Sequence, residues 1–237
     1  MEAIDKVYLY GASGHAKVVL DIVRFSYYDV PCLIDDNPND NELAGLPVVH
    51  SAEGLSPIIV TVGNCQKRRE IVNKLGNREY LTVIHPKAVV AESVTLGDGT
   101  VVMAGAIVNP YAKIGSHCII NTGASIDHDC VINDFVHIAP HSTLCGEIEI
   151  GEGTWIGAGT TVIQGIHIGK DCFIGAGSVV VKDIPDGCMC YGNPARIIRK
   201  INDNMIEEKD RLGGGRFRLG LNGYACCILQ RERRAAA

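Results

Sequence analysis

Asp127-His128-Asp129 sets an imidazole between two carboxylates, and eighteen residues further on stands Gly146. A histidine of ordinary basicity takes a proton from an amine or a hydroxyl, and a neighbouring carboxylate holds the ring and favours the imidazolium. A glycine beside it leaves a backbone N–H uncovered. Acyl transfer needs that pair: a base for the nucleophile and a donor for the developing oxyanion. An amine acceptor with a pKa near ~8 is mostly protonated at neutral pH, so such a base has work to do. His128 is therefore the candidate base and Asp129 or Asp127 the carboxylate that holds it. Asn121, His137 and His141 are polar residues that cluster with them. His137 and His141 raise the alternative of a zinc hydratase, but nothing supplies a third ligand, and no metal is expected.

A second constellation lies near the N-terminus. The apolar run Lys6–Tyr10 leads into Gly11-Ala-Ser13-Gly14-His15 and then an amphipathic stretch, Ala16 to about Phe25. Strand, glycine turn and helix N-terminus make a site for phosphate or another anion. Cys32-Leu33-Ile34 ends at Asp35-Asp36, and Ile58–Val62 ends at Gly63-Asn64, so polar residues close each apolar run. Asp35 lies about twenty residues beyond the turn, as in nicotinamide dinucleotide sites, but G-x-G-x-x-G would need glycine where Ser13 and Ala16 stand. A nucleotide-linked small substrate fits better. With helical segments at Ala16–Phe25 and Gln66–Leu75 and a last strand at Leu81–Ile84, residues 1–84 read as an α/β, Rossmann-like βαβαβ domain.

The element that must carry His128 is a repeat. From Val90 to Val180 an aliphatic residue returns at every sixth position, sixteen times in sixteen, with a small or medium uncharged residue four positions after each. A period of six is the hexapeptide parallel β-helix. Three hexapeptides make one triangular coil, so residues eighteen apart stack at roughly ~4.8 Å, which sets Gly146 over His128. Gly97, Gly115, Gly151 and Gly169, with Asn133 in the fifth place, form a column read as tight corners with positive φ. The prism occupies 85–200. A helix is expected from about Ile197 to Arg211, and residues 201–237 read as this short C-terminal helix and a disordered or basic tail.

Composition narrows the function classes. The chain has 237 residues and a net charge of −5, which gives no support to nucleic-acid binding. Of its ten cysteines, Cys118, Cys130 and Cys172 fall on the small inward column and read as reduced packing residues. The N-terminus is acidic where a signal peptide would be basic, and no apolar run reaches membrane length. A cytoplasmic protein without membrane insertion is expected.

Together Tyr10-Gly-Ala-Ser-Gly-His15, Asp35-Asp36, Val62-Gly-Asn64, Asn121-Thr, Asp127-His-Asp-Cys130, Phe135-Val-His137 and Gly192-Asn-Pro-Ala-Arg196 give a sequence that resembles the NeuD/PglD family of sugar acetyltransferases over residues 4 to about 200. The resemblance implies a left-handed β-helix, a homotrimer, and acetyl-coenzyme A lying between neighbouring prisms. It implies His128 as base with Asp129 as its acidic partner. His137, Gly146, Ala158, Ala176 and Pro194 are then coenzyme contacts. Ser13, Gly14, His15, Asp35, Asp36, Gly63 and Asn64 are nucleotide-sugar contacts. The implied activity is N-acetylation of a nucleotide-linked 4-amino-4,6-dideoxy sugar. O-acetylation of a sialic acid, or a nucleotide-sugar-binding scaffold without catalysis, are the alternatives.

Overall fold

The computed structural model describes residues 5–201. Four parallel strands, in the order Leu46–Val49, Leu33–Ile34, Tyr8–Tyr10 and Ile58–Val60, form the N-terminal sheet. Helix α1 (Gly14–Phe25) turns Ala16, Val19, Leu20, Ile22 and Val23 inward, the spacing of one helical face. Helix α2 (Cys65–Leu75) follows the strand Ile58–Val60. A two-residue strand, Glu42–Leu43, pairs antiparallel with Leu46–Val49 and edges the sheet. The sequence analysis gives no element for this hairpin, and Pro47 within it is a residue that weakens any strand signal.

Two-residue strands then wind into a prism with three faces. One carries Val83–Ile84, Val101–Val102, Ile119–Ile120, His137–Ile138, Trp155–Ile156, Phe173–Ile174 and Cys188–Gly192, and we term it the docking face. The next, from Val89–Val90 through Ser125–Ile126 to Val179–Val180, is the neutral face: its outward residues Val89, Ile107, Ser125, Thr143, Thr161 and Val179 carry no charge. The third, from Thr95–Leu96 to His167–Ile168, shows Lys113, Glu149 and His167 and is the charged face. Registers run eighteen apart, as in Ile120↔Ile138 and Ile126↔Leu144. From Val101–Val102 to Val179–Val180 the second residue of each strand points inward, and Val102, Ile120, Ile126, Ile138, Leu144 and Ile156 are wholly buried. Hydroxyls in the small column find carbonyls one coil on: Ser142 donates to Gly157 and Thr154 to Gly169, so these buried polar groups cost little.

The column of Gly97, Gly115, Gly151 and Gly169 is corrected in its cause. None has positive φ; the left-handed corners fall two positions later, at Gly99, His117, Phe135, Gly153 and Asp171. Glycine is needed instead because the next coil passes too close: a Cβ on Gly97 would meet the Ser116 nitrogen.

Two boundaries also move. Val83–Ile84 pairs with Val101–Val102 rather than with the N-terminal sheet, so the prism starts before His85. Its docking face shares a core with the N-terminal domain, where Val101, Met103 and Ile119 pack with Leu9, Val19 and Leu33. At the other end the expected helix does not begin at Ile197. Ala195–Lys200 is a strand, antiparallel to Cys188–Gly192, because the last coil offers an unpaired strand that the returning chain can satisfy. The rest of that helix, to Arg211, lies outside the described residues.

Candidate active site

His128 stands at the corner between the neutral and charged faces, after the strand Ser125–Ile126. Its Nδ1 is 2.8 Å from Oδ2 of Asp129. Asp129 takes φ 58°, a left-handed corner conformation that aspartate tolerates. Asp127 braces the same corner: its Oδ1 accepts from the His128 N–H at 2.8 Å and from Asn109 Nδ2 at 2.9 Å. The Asn109 bond, then the His128 N–H, hold the Asp127 carboxyl below the usual carboxylate range. The Asp129 hydrogen bond, aided by the surrounding carboxylates, raises the His128 pKa above its ordinary value. With Asp129 as acceptor, Nδ1 carries the proton and Nε2 keeps a free lone pair. A Cβ on Gly146 would stand 2.7 Å from that Nε2, so glycine is what admits the ring. Among the described residues no backbone acceptor takes the Gly146 N–H.

The residues expected to contact the nucleotide sugar gather at the carboxyl ends of the N-terminal strands. Ser13 caps α1 without a side-chain bond to it, and no acid occupies the first turn, so the helix N–H groups are free for an anion. Gly11, φ 113°, would crowd Val62 if it bore a Cβ, whereas Gly14 faces open space. Asp35 ties the turn down: its Oδ2 accepts from Ala12 N–H at 2.7 Å and its Oδ1 from Asn37 N–H at 2.9 Å. Asp36 takes Tyr10 Oη and Lys74 Nζ, each at 2.8 Å, and Lys74 holds its carboxyl low. Asn64 caps α2 by accepting from Lys67 N–H, a structural task beside the expected binding one. Burial and the nearby Arg68 charge lower the His15 pKa to about 4, and its Nε2 is buried without a partner.

His137 lies on the docking face, 4 % exposed, beneath Gly63. Its Nδ1 is 3.0 Å from the Gly63 carbonyl and its Nε2 3.0 Å from Asn121 Nδ2. Burial foremost, then Arg68, keep it neutral. Trp155 packs on it at 4.1 Å between ring centroids. Ala158 and Ala176 stack, exposed, at the corner between docking and neutral faces, and Pro194 turns the chain back beyond the last coil. One chain thus holds two groups. His15, Gly63 and His137 are on the docking face, with the alanines at its edge; His128, Asp129 and Gly146 are at the vertex opposite that face.

Sequence reasoning missed Arg68, Lys74 and Trp155. Arg68 left a signal: it sits three residues after Cys65 on the line that Val72 and Leu75 continue, a cation on an apolar helix stripe. Among the described residues no group of three or more His, Cys, Asp or Glu converges as a metal site.

Residues 6–75 match the family described as PglD N-terminal domain, and residues 147–182 match bacterial transferase hexapeptide (six repeats). The chain is similar to a single-residue variant of perosamine N-acetyltransferase from Caulobacter crescentus, solved with CoA and GDP-perosamine. The two are 40% identical with a TM-score of 0.78, over 82% of this chain and 97% of that one. It is similar to the acetyltransferase domain of PglB from Neisseria gonorrhoeae in complex with acetyl coenzyme A, at 38% identity and TM-score 0.77, over 83% of this chain and all (100%) of that one. The UDP-N-acetylbacillosamine N-acetyltransferase of Bacillus subtilis is 40% identical over 113 residues, 43% of this chain and 52% of that protein. The chain spans about half the length, or less, of the curated relatives it matches. Two-part architecture, matched segments and near-complete coverage of the solved relatives agree: the chain belongs to the PglD/NeuD-like family of sugar acetyltransferases.

Proposed function

We propose that the protein is an acetyl-coenzyme A-dependent N-acetyltransferase acting on a nucleotide-linked 4-amino-4,6-dideoxy sugar, with His128 as general base. The observation that carries this is the corner at His128: a ring held at Nδ1 by Asp129, with Nε2 free, beside an unclaimed Gly146 N–H. The sugar amine attacks the thioester carbonyl carbon while Nε2 takes the amine proton. The carbonyl electron pair moves to oxygen, where the Gly146 N–H meets it. Collapse restores the carbonyl, breaks the C–S bond, and the imidazolium returns its proton to the departing thiolate. N-acetyl sugar and coenzyme A thiol result. An ammonium group gives up its proton far more readily than a hydroxyl, and the similar Caulobacter enzyme is an N-acetyltransferase solved with GDP-perosamine; both favour the amino acceptor.

The free N-terminus of α1 suits the diphosphate of such a substrate. The stacked Ala158 and Ala176 leave a flat strip along which a pantetheine arm would lie. The site needs a second copy of the chain, since its two groups occupy opposite parts of one prism. A cyclic trimer with the uncharged neutral faces turned to the axis brings the docking-face edge of one protomer against the His128 corner of the next, and threefold closure satisfies all three. This reading places the enzyme among cytoplasmic biosynthetic proteins; no helix of the described residues is long and apolar enough to cross a membrane.

A thiol-release assay across UDP-, GDP- and dTDP-amino sugars, beside free sialic acid, tests it. Turnover with one amino sugar supports the proposal. Turnover with sialic acid alone moves the activity to O-acetylation, and coenzyme binding without any turnover leaves a scaffold. Sedimentation as a monomer under assay conditions would remove the shared site.

A further inference from the structure

Arg68 is 1 % exposed, and among the described residues no carboxylate lies within ion-pair distance of it. A guanidinium so buried is costly unless its donors are met. Here backbone carbonyls meet them. Nε donates to His117 at 2.8 Å and Nη2 to Phe135 at 2.7 Å, both corner residues of the prism. Nη1 donates to Val62 at 2.8 Å and to Gly63 at 3.0 Å, in the turn that ends the strand Ile58–Val60. One planar fork therefore grips both halves of the molecule, which a lysine ammonium cannot do with the same geometry.

The Gly63 oxygen is also the partner of His137 Nδ1. A carbonyl only accepts, so Nδ1 must carry the proton, and Nε2 must accept from Asn121. Two donors from different elements thus fix one carbonyl, and that carbonyl fixes a ring.

We infer that Arg68 is a positioning residue of the transfer reaction: through the Gly63 carbonyl it holds the Val62-Gly63-Asn64 turn against the prism and locks His137 as the neutral, Nδ1-protonated tautomer. The inference rests on the proposed function, because that turn belongs to the sugar-nucleotide side of the site. The groups facing His137 agree with it. Arg68 and His15 both disfavour a second proton on the ring, Trp155 covers it, and Asn121 offers only a donor where protonation would need an acceptor.

The test is imidazole nitrogen NMR on the full-length protein without ligands, with wild type, Arg68→Lys and Arg68→Gln compared. In the wild type His137 should be the Nδ1–H tautomer and stay neutral well below the pH at which an ordinary histidine takes up its proton. A folded Arg68→Gln protein should show mixed tautomers and a higher His137 pKa than the wild type. Arg68→Lys should fall between them. In the acetyl-transfer assay the KM for the amino sugar should rise roughly 10-fold, as loss of one buried charged hydrogen bond implies. A wild-type ring found as Nε2–H, or titrating like an ordinary histidine, overturns the inference even if Arg68→Gln does not fold. So does a folded Arg68→Gln protein whose His137 tautomer and titration are unaltered. The tautomer is read without substrate, so failure to find a sugar substrate would count against the proposed function and leave this result standing.

Discussion

The imidazole of His128 lies so close over Gly146 that a Cβ there would stand 2.6 Å from its Cε1. Gly146 has no positive φ, so alanine meets no backbone strain and conflicts only with a half-exposed ring that can swing away. Gly146→Ala should therefore fold with a near-native melting temperature and lose turnover by about 10²-fold, as misplacing a reacting group by an ångström does. Calorimetry and steady-state kinetics on one preparation check both halves; unchanged kcat would remove the oxyanion corner from the mechanism.

His128→Ala removes the proposed base and leaves the exposed corner otherwise intact. The expected loss in kcat is roughly 10²–10⁴-fold, with fold and assembly preserved. Activity near wild type would rule the assignment out.

Asp129 gives His128 its raised pKa, and the sign of the consequence is definite. Only the neutral ring accepts a proton, so the acid limb of the kcat/KM profile should lie above the ordinary histidine value. In Asp129→Asn that limb should move to lower pH while the plateau falls, because the ring loses both its orientation and its basicity. A profile whose limb stays in place would show that another group titrates.

Asp35 spends both carboxylate oxygens on the backbone of its own domain, one on Ala12 and one on Asn37. Asp35→Ala should free the glycine turn and weaken sugar-nucleotide binding by roughly 10–100-fold, the worth of a charged hydrogen bond. Coenzyme binding should be unchanged. Titration calorimetry showing the reverse order would refute the separation of the two ligands.

The prism was legible because its constraint is periodic: every sixth side chain enters one thin core, so any gap would have shown. His128 over Gly146 followed from that register, since eighteen residues make one coil. The corner conformations were less legible. Histidine, phenylalanine and aspartate at 117, 135 and 171 share positive φ with Gly99 and Gly153, and no residue type marks the position. Nor could residues 195–200 announce a strand, since what makes them one is the unpaired edge of the last coil. The docking of the two halves was hidden for a similar reason: the carbonyls that Arg68 grips have no side-chain signature.

His117 provides a test of how the halves are held together. Its ring stacks on Phe135 at 5.1 Å, meets the edge of Tyr80 at 4.6 Å and is 6 % exposed, with Arg68 bound to its own carbonyl. Burial, then the Arg68 charge, push its pKa down to about 4. In the unfolded chain the ring returns to about 6.5 and binds its proton first, so folding stability should fall as pH drops from about 6.5 towards 4 and be retained above 6.5. One such group accounts for a slope of up to about 1.4 kcal/mol per pH unit, or roughly 3 kcal/mol across the window. His15 and His137, lowered for the same causes, add to it. His117→Phe should keep the stack, since Phe135 already holds an aromatic ring at φ 59° in the equivalent corner, and should flatten the slope by up to one proton's worth. Urea unfolding between pH 4.5 and 7, at fixed protomer concentration, measures the difference. Parallel curves for wild type and variant would mean that His117 is protonated in the folded protein, and that the joint around Arg68 admits water.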